Sequence, residues 1–134
     1  MSNPYGGPAP SLDDLAAIAE RAFAALPEGF RRMAGDVVFR VDDFPPDEVL
    51  DELGIEDPFG LTGLYSGVSL ADRSVFGGAP EPSRVFLYRR PILDEWAENG
   101  AVTLDELVAH VLVHEIGHHF GLSDGDIERI EARA

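Results

Sequence analysis

The stretch His114-Glu115-Ile116-Gly117-His118-His119-Phe120-Gly121-Leu122-Ser123-Asp124 decides how the rest of the chain is read. It contains the pattern His-Glu-x-x-His. On a helix, residues four apart lie one turn above the other, so His114 and His118 present their imidazoles to one point. Two neutral imidazoles suit a zinc ion, which takes nitrogen ligands at about 2.0–2.1 Å. Glu115 stands beside the first of them, where a carboxylate can serve as general base toward an activated water. Gly121 can adopt the left-handed conformation that ends a helix and turns the chain. Such a turn returns Asp124 as a third, oxygen ligand, and three protein ligands leave the fourth position of a zinc ion open for chemistry. Two alternatives stay open beside this reading. Asp124 and Ser123 both precede a short charged segment, where either is a natural helix N-cap. The metal can also be structural, in a non-catalytic binding or regulatory module where Glu115 has no task.

Working outward, Thr103 with Glu106 three residues later is a capping-box signature that opens the helix carrying this pattern. Its apolar positions Leu104, Leu107, Val108, Val111, Leu112, Val113, Ile116 and Phe120 cover much of the helix circumference. A helix apolar over so much of its surface is buried. Two histidines and a glutamate in such a helix cost desolvation unless they bind a partner, and a metal ion is the most economical one. His119 is a quarter-turn off the ligand row and reads as a packing or hydrogen-bonding neighbour of the ligands. His110 lies on the row one turn earlier and reads as a surface or cleft residue. Beyond Gly121, residues Asp124 to Ala134 read as a short terminal helix with Ile127 and Ile130 facing inward.

Upstream, Ser11 is an N-cap with Asp13 and Asp14 in the first turn. Leu12, Leu15, Ala16, Ala19, Ala22, Phe23 and Leu26 follow the helical period, and the helix is expected to end near Pro27 and Gly29. Val37 to Val41 reads as a strand, Pro45-Pro46 as a break, and Asp47 to Leu53 as a short helix stopped by Gly54. Gly60 to Leu70 reads as a loop leading into a weak strand, and Ala71 to Ser83 as a hairpin-like or irregular connection. Arg84 to Arg89 reads as a strand stopped by Pro91, and Ile92 to Asn99 as a short helix carrying Trp96. Tyr88 and Arg89 end that strand, where contact with a substrate carbonyl or carboxylate and an ordinary strand role are both open.

Composition bounds the function classes. The 134 residues fit one small domain over residues 11–134, preceded by a Pro/Gly-rich, flexible arm at residues 1–10. Ten Lys and Arg against 25 Asp and Glu leave a formal charge of −15. So acidic a surface repels nucleic acid and anionic membranes, which excludes both as partners. There is no cysteine, so disulfides and thiol catalysis are excluded and any metal falls to His and carboxylate ligands. The first ten residues lack the basic start and apolar core of a signal peptide, and no apolar run is long enough to span a bilayer. The expectation is a cytoplasmic monomer.

These residues also carry a resemblance. His114 to Asp124 resembles the zinc signature of zincin metallopeptidases, in the form His-Glu-x-x-His-x-x-Gly-x-x-His/Asp associated with metzincins. More closely, the chain resembles a small bacterial family of zincin-like metallopeptidases with a minimal zincin domain. Gly63-Leu64-Tyr65-Ser66-Gly67, Val85-Phe86-Leu87-Tyr88-Arg89-Arg90-Pro91-Ile92 and His114 to Gly121 carry that likeness, which extends over nearly everything after residue 10. The resemblance implies an α/β (α+β) domain whose small mixed sheet packs on the active-site helix, with its last strand antiparallel along the cleft edge. It also implies hydrolysis of peptide or protein substrates with Zn2+ as cofactor. His114, His118 and Asp124 are then the metal ligands and Glu115 the catalytic base. Metzincins place a methionine turn beneath the metal. Here the only methionines, Met1 and Met33, lie upstream, so the chain is not an ordinary metzincin.

Overall fold

Local chemistry places the first element. Ser11 caps helix α1 (Leu12–Ala24) through a capping box in which the Asp14 amide donates to the Ser11 hydroxyl and the Ser11 amide to the Asp14 carboxylate. The computed structural model describes residues 9–66 and 83–133. Most of the expected arm and of the expected connection Ala71–Ser83 lies outside the described residues, as do Gly67 to Leu70.

Helix α1 ends as expected, but the next turn of chain differs from the expectation. Pro27 leads into a second helix, α2 (Glu28–Ala34), which buries Phe30 and Ala34 and stops at Gly35 with φ 74°. Pro27 and Gly29 read as breakers; in fact the proline caps the new helix and the glycine is accommodated in its first turn, where little of the helical ladder is at stake. Strand β1 (Val37–Asp42) follows, then α3 (Asp47–Leu53), ended by Gly54 in the left-handed region at φ 69°. A single 3-10 turn at Pro58–Gly60 precedes strand β2 (Gly63–Ser66).

Strand β3 (Ser83–Tyr88) runs straight into helix α4 (Arg89–Glu98). Pro91, read as a stop, instead sits in the first turn of α4, where its missing N–H would have had no intrahelical partner. The chain closes with α5 (Leu104–His119) and α6 (Asp124–Arg133).

The sheet is small and mixed, in the order β1-β3-β2. β1 pairs with β3 in parallel, Phe39 opposite Val85, and β2 pairs with β3 antiparallel, Tyr65 opposite Val85. One expectation is corrected here. Among the described residues, β3, the last strand, is the centre of the sheet and hydrogen-bonded on both sides, and the antiparallel edge is β2. A substrate backbone therefore cannot add to the chain beside Tyr88.

Helix α5 packs on β2, α4 and α6, and α1 lies across both α5 and β1. Leu15, Val85, Leu112, Val113, Ile116 and Ile127 are shut off from solvent completely, so elements from both ends of the chain close one core around α5. No helix among the described residues is long and apolar enough to cross a membrane.

Candidate metal centre

Helix α5 is built to hold its polar row at a fixed height above this core. The Thr103 hydroxyl accepts from the Glu106 amide at 3.1 Å while the Glu106 carboxylate accepts from the Thr103 amide at 3.3 Å. At the other end, the Leu122 amide donates to the Gly117 carbonyl at 2.9 Å and the Gly121 amide to the His118 carbonyl at 3.0 Å. Gly121 has φ 77°, so the helix closes in a Schellman turn, as its glycine requires. Between the caps, the expected apolar residues are buried, Phe120 partly, while His110, His114 and His118 form one row on the remaining face.

The Schellman turn sends the chain back as α6. Ser123 is the N-cap of that helix: its hydroxyl accepts from the Asp126 amide at 3.1 Å and its amide donates to the Asp126 carboxylate at 3.2 Å. Asp124 is thereby released from capping. Its side chain is 82% exposed, and its Oδ1 stands 3.7 Å from His118 Nε2. Two turns further along α6, Glu131 Oε1 stands 3.8 Å from His114 Nε2 and 2.7 Å from His110 Nδ1. The helices can approach this closely because Gly117 faces Ile127; a Cβ at Gly117 would lie 3.0 Å from Ile127 Cγ1.

These distances bear on whether a zinc ion fits. Ligand atoms about 2.0–2.1 Å from a tetrahedral ion lie roughly 3.3 Å from one another. The separations of 3.7 and 3.8 Å are too long for hydrogen bonds and a few tenths of an ångström beyond that spacing. The ring centroids of His114 and His118 are 5.5 Å apart. Two imidazoles with carboxylates beside them form the nitrogen–oxygen donor set that zinc accepts. Of the expected ligands the structure brings Asp124 to His118, whereas the donor atoms it gathers within 4.8 Å of one another are those of His110, His114 and Glu131.

The electrostatics of the row follow from burial. Desolvation, reinforced by neighbouring His110, lowers the pKa of His114, against which the Glu131 carboxylate works. The imidazole is thus favoured in its neutral, ligating form. Half-buried Glu115 goes the other way: desolvation raises its carboxyl pKa, with His118 opposing. A carboxylate displaced upward toward neutrality is better matched to proton transfer than an ordinary surface glutamate.

Other residues singled out by sequence find different places. His119 packs edge-on against the Tyr65 ring at 4.5 Å, tying α5 to the edge strand β2. The Tyr65 hydroxyl donates to Ser83 Oγ at 2.8 Å inside the core. Tyr88 is buried, and its phenol pKa is raised by that burial and by Asp42. Arg89 donates to the Pro10 carbonyl and pairs with Asp43 at 3.1 Å, away from the histidine row. Neither residue reaches the site.

Sequence reasoning did not single out Glu131, which reaches the row from α6. His110, read as a surface or cleft residue, is exposed, and the donor atoms of His110, His114 and Glu131 all lie within 4.8 Å of one another. The signal was present in the spacing, since Glu131 lies seven residues, two helical turns, after Asp124. A cavity of about 740 Å3 between α1, α4 and α5 is walled at one side by His110 and Glu131, whereas His114 and His118 do not line it.

A comparison with curated proteins gives no match. The profile of the zincin-like metallopeptidase family matches residues 34–134, about three quarters of the chain, from the end of α2 through the whole histidine row and α6. That span holds the three-stranded sheet and the helix with its paired histidines, and the chain belongs to the zincin-like metallopeptidases.

Proposed function

We propose that the chain is a zinc-dependent peptidase that hydrolyses peptide bonds, with His114, His118 and Asp124 holding the ion and Glu115 as general base. The observation that carries this reading is the release of Asp124. Because Ser123 and Asp126 satisfy the start of α6 between themselves, the Asp124 carboxylate makes no capping bond and stands beside His118 at 3.7 Å.

Zinc, when bound, supplies Lewis-acid polarisation of a carbonyl and acidification of water. The rest falls to the chain. The lowered pKa of His114 keeps its lone pair available for ligation near neutral pH. Glu115, half-buried and one residue along the helix, accepts a proton from the attacking water and returns it to the leaving amine. Its raised pKa serves both transfers, since a very weak base would not take the proton and a very strong one would not return it. The substrate class is a peptide or protein segment. Among the described residues β2, the strand of the sheet in contact with α5, is the edge along which an extended segment can lie.

Glu115→Gln tests the chemistry. It preserves size and hydrogen bonding but cannot accept a proton at neutral pH. The variant is expected to bind zinc like the wild type while hydrolysis of an unstructured peptide library falls by about 10²–10⁴-fold. Cleavage at the wild-type rate, with contaminating protease excluded, removes the mechanism. Asp124→Asn tests the ligand: as a cap, asparagine substitutes well for aspartate. A clear loss of zinc affinity assigns Asp124 to the ion, and unchanged affinity leaves it an exposed first-turn aspartate of α6.

A further inference from the structure

The histidine row is longer than the proposed ligand set uses. His110, His114 and His118 follow one another at single-turn intervals, and two carboxylates from α6 stand against them in reverse chain order. Asp124 meets His118 at 3.7 Å; Glu131 meets His110 at 2.7 Å and His114 at 3.8 Å. The two antiparallel helices thus set a carboxylate against the histidine row at two heights, and at the upper one the donor atoms of His110, His114 and Glu131 lie within 4.8 Å of one another.

The upper arrangement has a feature that an ordinary ion pair lacks. Glu131 Oε1 is shut off from solvent and accepts no hydrogen bond, although His110 Nδ1 is only 2.7 Å away. The N–H direction of the imidazole misses the oxygen. Two electron-rich atoms held that close, one of them desolvated, repel unless a positive charge compensates them, whether a proton on His110 or a cation beside both. Atoms that share a metal ion are arranged this way: each aims its lone pair at the ion and not at its neighbour. The His110 and His114 rings lie with centroids 4.0 Å apart, tilted by 47°, and a nitrogen of each comes within 4.8 Å of the other and of the Glu131 carboxylate.

We propose that His110, His114 and Glu131 form a second divalent-metal register of zinc type, which shares His114 with the His114–His118–Asp124 register. A neutral imidazole has one lone-pair nitrogen, so the shared histidine serves one ion at a time. The chain therefore holds a single ion that can occupy either of two positions one helical turn apart. The two positions also differ in their surroundings. His110 and Glu131 border the 740 Å3 cavity, whose wall also carries Glu95, Glu106 and the Arg21–Asp105 ion pair, and His118 and Asp124 do not border it.

The inference stands apart from the peptidase reading, because it concerns where the ion binds and not what it does there. The test uses Co2+ and Zn2+ on the full chain, with Co2+ visible absorption reporting geometry and chelator competition reporting affinity. Wild type is expected to bind one ion. His118→Ala removes the lower register and is still expected to bind one Co2+ with a changed spectrum. Adding Glu131→Gln or His110→Ala to His118→Ala is expected to weaken binding by a further factor of at least about 100. Far-ultraviolet circular dichroism of each metal-free variant checks the fold, and His118→Gln replaces His118→Ala if the latter unfolds. Loss of the ion in the folded His118 variant overturns the proposal. So does equal binding by the His118 single and double variants, or loss of the ion in Glu131→Gln alone, which would make Glu131 a ligand of one undivided site. The peptidase reading fails on a different result, undiminished hydrolysis by Glu115→Gln.

Discussion

Gly117→Ala measures how tightly helices α5 and α6 are held together. Gly117 lies inside α5, between Glu115 and His118, where alanine is favoured over glycine by about 1 kcal/mol of helix propensity. Against this, the added methyl would meet Ile127 Cγ1 at 3.0 Å, Ile127 Cδ1 at 3.2 Å and Leu122 Cδ1 at 3.5 Å. The comfortable carbon–carbon separation is about 3.5–4.0 Å. Ile127 is completely buried, so it has no free space to rotate into. Overpacking of this kind costs about 1–3 kcal/mol. The balance is a destabilisation of roughly 0–2 kcal/mol. Gly29→Ala is the matched control, since Gly29 lies in helix α2 with nothing within 4 Å of its added Cβ. It is expected to stabilise by up to about 1 kcal/mol.

The assay is urea and thermal unfolding of both variants in metal-free form, with unchanged denaturant slopes as the check that only stability has moved. The two variants should differ by about 1–3 kcal/mol, or roughly 4 °C in Tm for each kcal/mol. A second readout follows from position. Relief of the contact pushes α6 away from α5, and α6 carries both Asp124 and Glu131. Zinc affinity should therefore fall in Gly117→Ala and stay at the wild-type value in Gly29→Ala. If Gly117→Ala is as stable as Gly29→Ala and binds zinc normally, the close approach of α5 and α6 does not set the site, and the reasoning is wrong.

Two further outcomes are expected. Tyr65→Phe removes the hydroxyl that donates to buried Ser83 at 2.8 Å and should cost about 1 kcal/mol in urea unfolding, while the ring contact with His119 survives; an unchanged midpoint would refute it. Asp14 has its pKa lowered from 3.8 by the Ser11 backbone amide first and the Ser11 hydroxyl second. Its contribution to stability is thus present above pH 3.8 and lost as pH falls through the lower, folded value. The stability difference between wild type and Asp14→Asn should accordingly shrink between about pH 5 and pH 2, and a constant difference would count against the capping box.

Helix α5 was legible from end to end because its signals are local. A Thr103–Glu106 box, an apolar surface and a glycine after the last turn each act within a few residues, so no distant contact was needed to read them. Helix α3 and its left-handed Gly54 were legible for the same reason. Helix α2 was not, because Pro27 and Gly29 weigh against a helix locally and only the burial of Phe30 and Ala34 in the common core makes seven residues worth ordering. The start of α4 was placed too late, since Pro91 looks identical in sequence whether it ends a strand or sits in the first turn of a helix.

By itself the sequence determined the helix that bears the site, the pair His114 and His118, and the adjacent Glu115, because helical geometry ties spacing to direction. Whether Asp124 caps or faces the row depended on a competition with Ser123 that only the folded turn resolves, and there Ser123 takes the cap. The order of the strands, with β3 central and β2 at the edge, and the meeting of Glu131 with His110 were decided by tertiary structure alone. Both are contacts between segments far apart in the chain, 21 residues in the case of Glu131 and His110, and no local propensity encodes which distant segment arrives. That choice is made by the burial of apolar faces such as Ile127 against Gly117, which brings whole elements together and carries their polar residues with them.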